Sequence, residues 1–295
     1  MKSLKILILG GTRFFGIHTV NELIQNGHDV SIATRGITSD RFGSSVNRII
    51  LDRNNQESLK QRLAGKYYDV VIDKLAYSSN DVKQIFNVID CDKYIQMSST
   101  AVYNPRRWNT VEEDFNPKDK ELVWCSRMDF PYDEIKRQAE RALWQRYPDR
   151  KIVSVRYPFV LGKDDYTKRL LFYVERVKNG LPMNIDNPDC QMSFIRSDEA
   201  GKLMAFLADS NYTGPINGAS DGTISIREIL NYLEQRTGNK AILAPDGGNG
   251  PYNNEPEYSI NTDRAKQCGF TFTNIKDWIF ELVDEYLSDI TYERK

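Results

Sequence analysis

Histidine is nearly absent from this chain of 295 residues: His18 and His28, both near the N-terminus, are the only two. That leaves little material for a histidine-based metal centre or a Ser-His-Asp triad, and no metal site is expected. Cysteine is also sparse. Cys91, Cys125, Cys190 and Cys268 are widely spread and form no CxxC pair, so they read as reduced thiols rather than a disulfide framework. No apolar run reaches the roughly 18–20 residues of a membrane span. The opening MKSLKILILGG puts lysines before an apolar stretch, but no small-residue cleavage site follows, and the stretch reads better as a strand. A net charge of −1 provides no general attraction for nucleic acid or an anionic membrane. Internal repeats and low-complexity linkers are missing too. The expectation is a cytoplasmic, soluble globular protein that binds a small molecule and neither membrane nor nucleic acid.

What is present is an alternation of two periods. Short β-rich runs lie at 4–9, 29–34, 46–51, 69–73, 93–97 and 151–156. Between them, amphipathic stretches at 14–26, 56–64, 79–90 and 131–146 read as helices. Strands separated by helices imply βαβ units, hence a parallel sheet covered on both faces, which also explains why ILIL and VVI run apolar without alternation. After residue 160 the rhythm loosens into a helix at 166–179, a turn-rich stretch, a strand-to-helix unit over 192–210, another strand, loop and helix over 213–230, and a closing helix at 273–288. The fold class is therefore α/β: a Rossmann-type doubly wound sheet over 1–160, with 194–218 returning to it, and a smaller C-terminal substrate lobe over 161–295.

The first strand opens into GGTRFFG, and the helix that follows offers free N–H groups and a positive dipole end to a pyrophosphate. Gly10, Gly11, Thr12, Arg13, Phe14, Phe15 and Gly16 are accordingly cofactor-binding candidates. Arg13 occupies the place of the central glycine in either register of the fingerprint. It is tolerable there only if its side chain points away from the phosphate's approach. About 20 residues further on, an acid at the end of the second strand normally holds the ribose hydroxyls. Here that strand ends in Thr34-Arg35, the swap expected for a 2′-phosphate, so NADP is favoured over NAD, with Arg13 and Arg35 clamping that phosphate from two sides. Asp52, after the third strand, is placed to touch the adenine.

Oxidation of an alcohol by a nicotinamide needs a base for the hydroxyl proton. PYDEIK supplies Tyr132 and Lys136 at i and i+4 on one helix face, where the ammonium, helped by the cationic nicotinamide, would lower the phenol's pKa from about 10 toward working pH. A second YxxxK, Tyr147 to Lys151, straddles a helix end and contains Pro148, so its side chains need not share a face. MSSTAVY places Ser99 at the end of a central strand, where ligands of open α/β sheets gather. Arg169, Arg196 and Arg227 are candidates for a substrate diphosphate.

In order along the chain, GGTRFFG, SSTAVY, YDEIK, RYPFVLG, SFIRSDEA and INGASDGTISIREI resemble the extended short-chain dehydrogenase/reductase family, which includes NAD(P)-dependent nucleotide-sugar epimerases and dehydratases. The resemblance runs from about residue 4 to 287. It implies that Ser99, Tyr132 and Lys136 are the catalytic Ser/Thr, Tyr and Lys, that Leu75, Ala76, Tyr157 and Pro158 join the cofactor site, and that dimerisation through helices is available. Asn80 and Asn87 are the candidates for the family's active-site Asn. Thr100-Ala101 stands where the family's 4,6-dehydratases carry Asp-Glu, which argues against dehydration. Arg13 is a variant similar to that of chloroplast stem-loop-binding proteins. The expected function is NADP-dependent oxidation, reduction or epimerisation at a hydroxyl of a nucleotide sugar or similar molecule. The alternative is a non-catalytic nucleotide-sensing or RNA-binding protein on the same scaffold.

Overall fold

The computed structural model describes residues 2–292; the outermost residues of the two expected units, 1 and 293–295, lie outside this range. Its centre is a sheet of seven strands, all parallel. These are β1 (Lys5–Leu9), β2 (Asp29–Thr34), β3 (Asn47–Ile50), β4 (Lys66–Asp73), β5 (Ile89–Ser99), β6 (Lys151–Tyr157) and, much later in the chain, β11 (Gly214–Asn217). Their spatial order is β3-β2-β1-β4-β5-β6-β11, so the direction of winding reverses between β1 and β4. At such a switch point the crossovers on either side part and leave a crevice at the strands' C-terminal ends.

Alternation along β1 builds two cores at once. Ile6 and Ile8 face a cluster formed with α1 (Phe15–Gln25) and α6 (Ser197–Asp209). Leu7 and Leu9 face the opposite cluster, formed with α2 (Gln56–Leu63), α3 (Ser79–Phe86) and α4 (Tyr132–Arg146). α6 lies on α1 closely enough that a Cβ on Gly201 would stand 2.5 Å from the His18 Cβ and 2.7 Å from the Thr19 backbone nitrogen.

A third cluster fills the C-terminal half. It draws on α5 (Arg169–Lys178), α7 (Ile226–Thr237) and α9 (Ile279–Tyr292). The short strands β7 (Phe159–Leu161), β8 (Met183–Asn184), β9 (Gln191–Met192), β10 (Phe194–Arg196), β12 (Ile224–Ser225) and β13 (Gly248–Asn249) pair two by two around it. The one-turn α8 (Asp263–Gln267) instead sends Ala265 into the cluster beside α1 and α6.

Two elements differ from the sequence reading. The helix expected over 79–90 stops at Phe86, because Ile89 already pairs with Lys66 as the first residue of a long β5. The closing helix begins at Ile279, after a 3₁₀ turn over Ile275–Asp277, and not at 273. Among the described residues, no helix is long and apolar enough to cross a membrane, and no group of three or more His, Cys, Asp or Glu could hold a metal ion.

Candidate functional site

Two adjoining cavities, of about 330 and 370 Å³, open at the C-terminal edge of the sheet and share Phe14, Phe15, Tyr77, Met97 and Tyr166 in their walls. The first sits on the glycine loop at the switch point. Gly10 and Gly11 carry φ of 100° and 107°, in the region that favours glycine, and the turn they make aims the chain into α1. Phe14, at φ 54°, is a strained non-glycine residue at the helix entrance. α2, α3 and α7 are closed at their N-termini by Asn55, Ser78 and Ser225, whereas α1 has neither a capping side chain nor an acid in its first turn. Its first-turn N–H groups therefore lack side-chain acceptors and lie beside the cavity, an arrangement that suits a diphosphate.

Gly10 to Phe15, Thr34, Arg35, Asp52 and Leu75 all line this cavity. The Arg13 guanidinium stacks over the Tyr166 ring, 4.3 Å from its centroid, so it is turned toward the C-terminal half and away from the loop backbone. Arg35 stands exposed at the end of β2, and the two arginines line the same cavity. Thr34 Oγ1 accepts a hydrogen bond from Gly36 N at 3.2 Å, and Asp52 Oδ1 accepts from Asn54 N at 2.9 Å. Gly16 and Ala76 lie behind the wall. Gly16 leaves room for Lys74, and the Ala76 carbonyl accepts from Lys136.

Sequence reasoning missed Arg53, which lines the cavity although it is only 4% exposed. One of its terminal nitrogens donates to Asp73 Oδ2 and to the Asp81 carbonyl, both at 2.8 Å, while Tyr94 donates to the same Asp73 oxygen. Its Nε and other terminal nitrogen have no partner. Buried N–H groups without acceptors beside an open-ended helix fit an anionic, acceptor-rich cofactor such as a dinucleotide.

The second cavity is walled by Ser98, Ser99, Thr100, Tyr132, Tyr157, Pro158 and Arg169. Ser99 Oγ accepts from Ala101 N at 3.2 Å, which leaves its own proton free to point into the cleft. Tyr132 opens α4 behind Pro131, and Lys136 lies one turn on, fully buried. Lys136 Nζ donates to the carbonyls of Ala76 at 3.2 Å and Met97 at 2.9 Å, with the Tyr77 ring centroid at 4.4 Å and that of Tyr132 at 5.9 Å. Burial pushes this amine down to about 8. Tyr132 is half exposed as a residue, but desolvation at its hydroxyl in the cleft pushes the phenol up to about 12, with the Ser99 hydroxyl pulling the other way. Lys136 directs its hydrogen bonds at backbone and desolvation dominates at the phenol hydroxyl, so the lowering expected from the sequence calls on the cationic nicotinamide as well.

Of the three candidate substrate arginines only Arg169 reaches the cleft, with its guanidinium over the Phe159 ring and hydrogen-bonded to Thr167 Oγ1 at 3.1 Å. Arg196 points from the end of β10 into a separate depression and pairs with Asp198 at 3.1 Å. Arg227 pairs with Asp189 at 3.1 Å on α7 and lines neither cavity. Asn80 donates to Ser126 Oγ and so helps hold the segment before α4, and Asn87 ends α3; neither lines the cleft. The structure instead brings in Arg106, ion-paired with Glu255, together with Tyr77, Arg127 and Tyr166. These sit on connections whose sequences carry no periodic signal. Lys74 is different: a charge directly after the buried run VVID was a visible anomaly.

Residues 6–88 match the model of the NAD dependent epimerase/dehydratase family. The chain is 27% identical over 203 residues to the chloroplast stem-loop binding protein of 41 kDa b of Arabidopsis thaliana; the match covers 64% of the chain and only 50% of that longer protein. It is 24% identical over 273 residues to a bifunctional UDP-glucose and UDP-xylose 4-epimerase of Pisum sativum, covering 82% of the chain and 72% of the relative. A UDP-glucose 4-epimerase of Thermotoga maritima, solved with UDP-glucose, superposes with a TM-score of 0.74 over 97% of the chain and 99% of that structure at 16% identity, which is a likeness of fold.

Proposed function

We propose that this chain, whose sequence and fold resemble the extended short-chain dehydrogenase/reductase type, is an NADP-dependent oxidoreductase or epimerase acting on a hydroxyl of a nucleotide sugar or similar molecule. One observation carries this reading: Ser99 and Tyr132 line a cavity whose wall is continuous with the glycine-loop cavity through Phe14, Phe15, Tyr77, Met97 and Tyr166. The dinucleotide would be held by the open N-terminus of α1, the loop 10–15, Arg53 and the strand-end pair Thr34-Arg35. When bound, its nicotinamide supplies a hydride acceptor and, oxidised, a positive charge. Tyr132 takes the substrate's hydroxyl proton, for which its phenol must first ionise. A hydroxyl group at about 12 does this only where a cation is near. Ser99 steadies the developing alkoxide with a hydrogen bond from its hydroxyl, keeping its own proton. Lys136 is held against the sheet by two carbonyls and keeps its ammonium beneath the phenol side of the cleft. Arg169 gives the outer wall positive charge suited to a phosphorylated substrate, whereas Arg106 is paired with Glu255 in the same wall.

The likeness to a stem-loop binding protein supports a second reading, RNA binding without catalysis on the same scaffold. The two are separated by titrating the protein with NADP, then assaying UDP-sugars with and without Tyr132→Phe. The substitution is expected to lower turnover by about 10²–10⁴-fold while dinucleotide affinity stays within about threefold. Turnover that survives it would remove Tyr132 as the base. Salt-sensitive binding of stem-loop RNA, without any dinucleotide binding, would favour the second reading.

A further inference from the structure

Lys74 stands at the end of β4 and crosses beneath the glycine loop from its first glycine to its last. A Cβ built on Gly10 would touch the lysine's Cβ at 3.7 Å, and one built on Gly16 would fall 2.2 Å from the lysine Nζ. The ammonium rests 4.0 Å from the Phe15 ring centroid, and its one hydrogen bond, to the Arg13 carbonyl, is a long 3.5 Å. The residue is 8% exposed, lines the first cavity, and has no carboxylate within ion-pair distance among the described residues. A buried cation with so little compensation costs stability. Something must favour its retention in the one place where an anion is expected.

We propose that Lys74 is a ligand of the dinucleotide's diphosphate, a positive charge delivered from β4 into the loop where the Arg13 guanidinium is stacked on Tyr166. The proposal rests on the dinucleotide-binding reading above. It gives Gly16 a second duty beyond letting α1 approach the Gly11 backbone, 2.9 Å from a Cβ there, because any side chain at 16 would strike the ammonium. The groups around Lys74 leave it available. Arg13 is stacked on Tyr166. Asp73, next in the strand, is taken by Arg53 and Tyr94. Asp164, on the connection before α5, is held by His18 and by the Ser197 hydroxyl. Toward α3, Arg127 is bound to Asp81 and Tyr77 lies under its guanidinium. Lys136 is held by backbone carbonyls.

Burial pushes the Lys74 amine down to about 7, with Asp164 the one charge acting against it. A bound diphosphate would raise it again, so dinucleotide binding should take up a proton above pH 7 and weaken by up to about tenfold per pH unit until the bound-state value is reached. Two measurements decide the matter. Calorimetric titration of the full chain with NADP at pH 8, in buffers of different ionisation enthalpy, should show proton uptake that falls in Lys74→Met, whose affinity at pH 6.5 should be at least about tenfold weaker. Uptake and affinity unchanged by the substitution would overturn the proposal. On the unaltered chain, acetic anhydride at pH 7 followed by site-resolved mass spectrometry should acetylate Lys74, and saturating NADP should protect it. No acetylation without NADP, or none of this protection, would overturn it as well, even if Lys74→Met failed to fold. Absence of any NADP or NAD binding would remove the dinucleotide-binding reading itself, an outcome distinct from binding that ignores Lys74.

Discussion

Arg35 shows how far one residue can be read alone. Its place at the end of β2, beside Thr34 and facing the cavity rim, is where an acid would otherwise select the free ribose hydroxyls. Arg13 is stacked on Tyr166, so the proposed preference for a 2′-phosphate is tested most directly at Arg35. Arg35→Asp is therefore expected to shift the ratio of NADP to NAD dissociation constants by at least about tenfold toward NAD, the scale of one lost charge-assisted contact. Fluorescence titration with NADPH and NADH reads the ratio directly, and an unchanged ratio would place the 2′-phosphate elsewhere. Buried lysines show the opposite case. The sequence presents Lys74 and Lys136 as charges, and only burial makes one of them a soft cation near 7 and the other near 8.

Among the elements, α1 is the most constrained. One end is the open N-terminus at the cavity, and its flank is clamped by α6, which the chain supplies some 180 residues later. Gly201 makes that contact possible, since its missing Cβ would press on the His18 Cβ and on the α1 backbone at Thr19. Gly201→Ala improves local helix propensity by roughly 1 kcal/mol, yet it must separate two packed helices. A net loss of about 1–3 kcal/mol is expected, read as a lower urea midpoint. Because the displacement runs along α1 to the glycine loop, dinucleotide affinity should fall with it. A gain in stability would show that the two helices can part freely. The segment before α4 is pinned in a comparable way: Ser79 Oγ donates to the Val123 carbonyl and accepts from Cys125 N, and Arg127 grips Asp81. This holds Arg127 at the cavity wall while Met128 beside it stays exposed.

For the whole molecule, the decisive interaction is a fully buried ion pair. Arg156 of β6 meets Glu140 of α4 at 2.6 Å, with both side chains completely enclosed. Arg156 also donates to the carbonyls of Glu112 and Phe115 and to the Tyr103 hydroxyl, and Glu140 accepts from Ser98. Glu112 in turn accepts from the backbone of Asn217 on β11. One guanidinium thus joins the central sheet, the helix α4 that carries Tyr132 and Lys136, the serine strand end and the long connection before α4. Arg156→Met would strand Glu140 as a buried, unpaired acid, and a loss of about 3–5 kcal/mol is expected, measured by urea denaturation at pH 7. A variant as stable as the parent would mean that water reaches this pair.

The sequence by itself determined the parallel sheet, the glycine turn into α1, and the placement of Ser99, Tyr132 and Lys136 at strand end and helix face. Each of these is fixed by short-range terms: apolar runs, glycine's access to positive φ, and a spacing of four on a helix. Only the tertiary structure decided which charges would be buried and what would face them. Arg196 and Arg227 read no differently from Arg169 in the chain, yet only Arg169 reaches the cleft, because the loops that aim them follow packing of the C-terminal half. Arg53, Tyr77, Arg106 and Tyr166 came to the site for the same reason. Protonation was settled there too, since a pKa depends on desolvation and on neighbours distant in sequence. GGTRFFG could announce a phosphate loop; β4, folding alongside it, put Lys74 underneath.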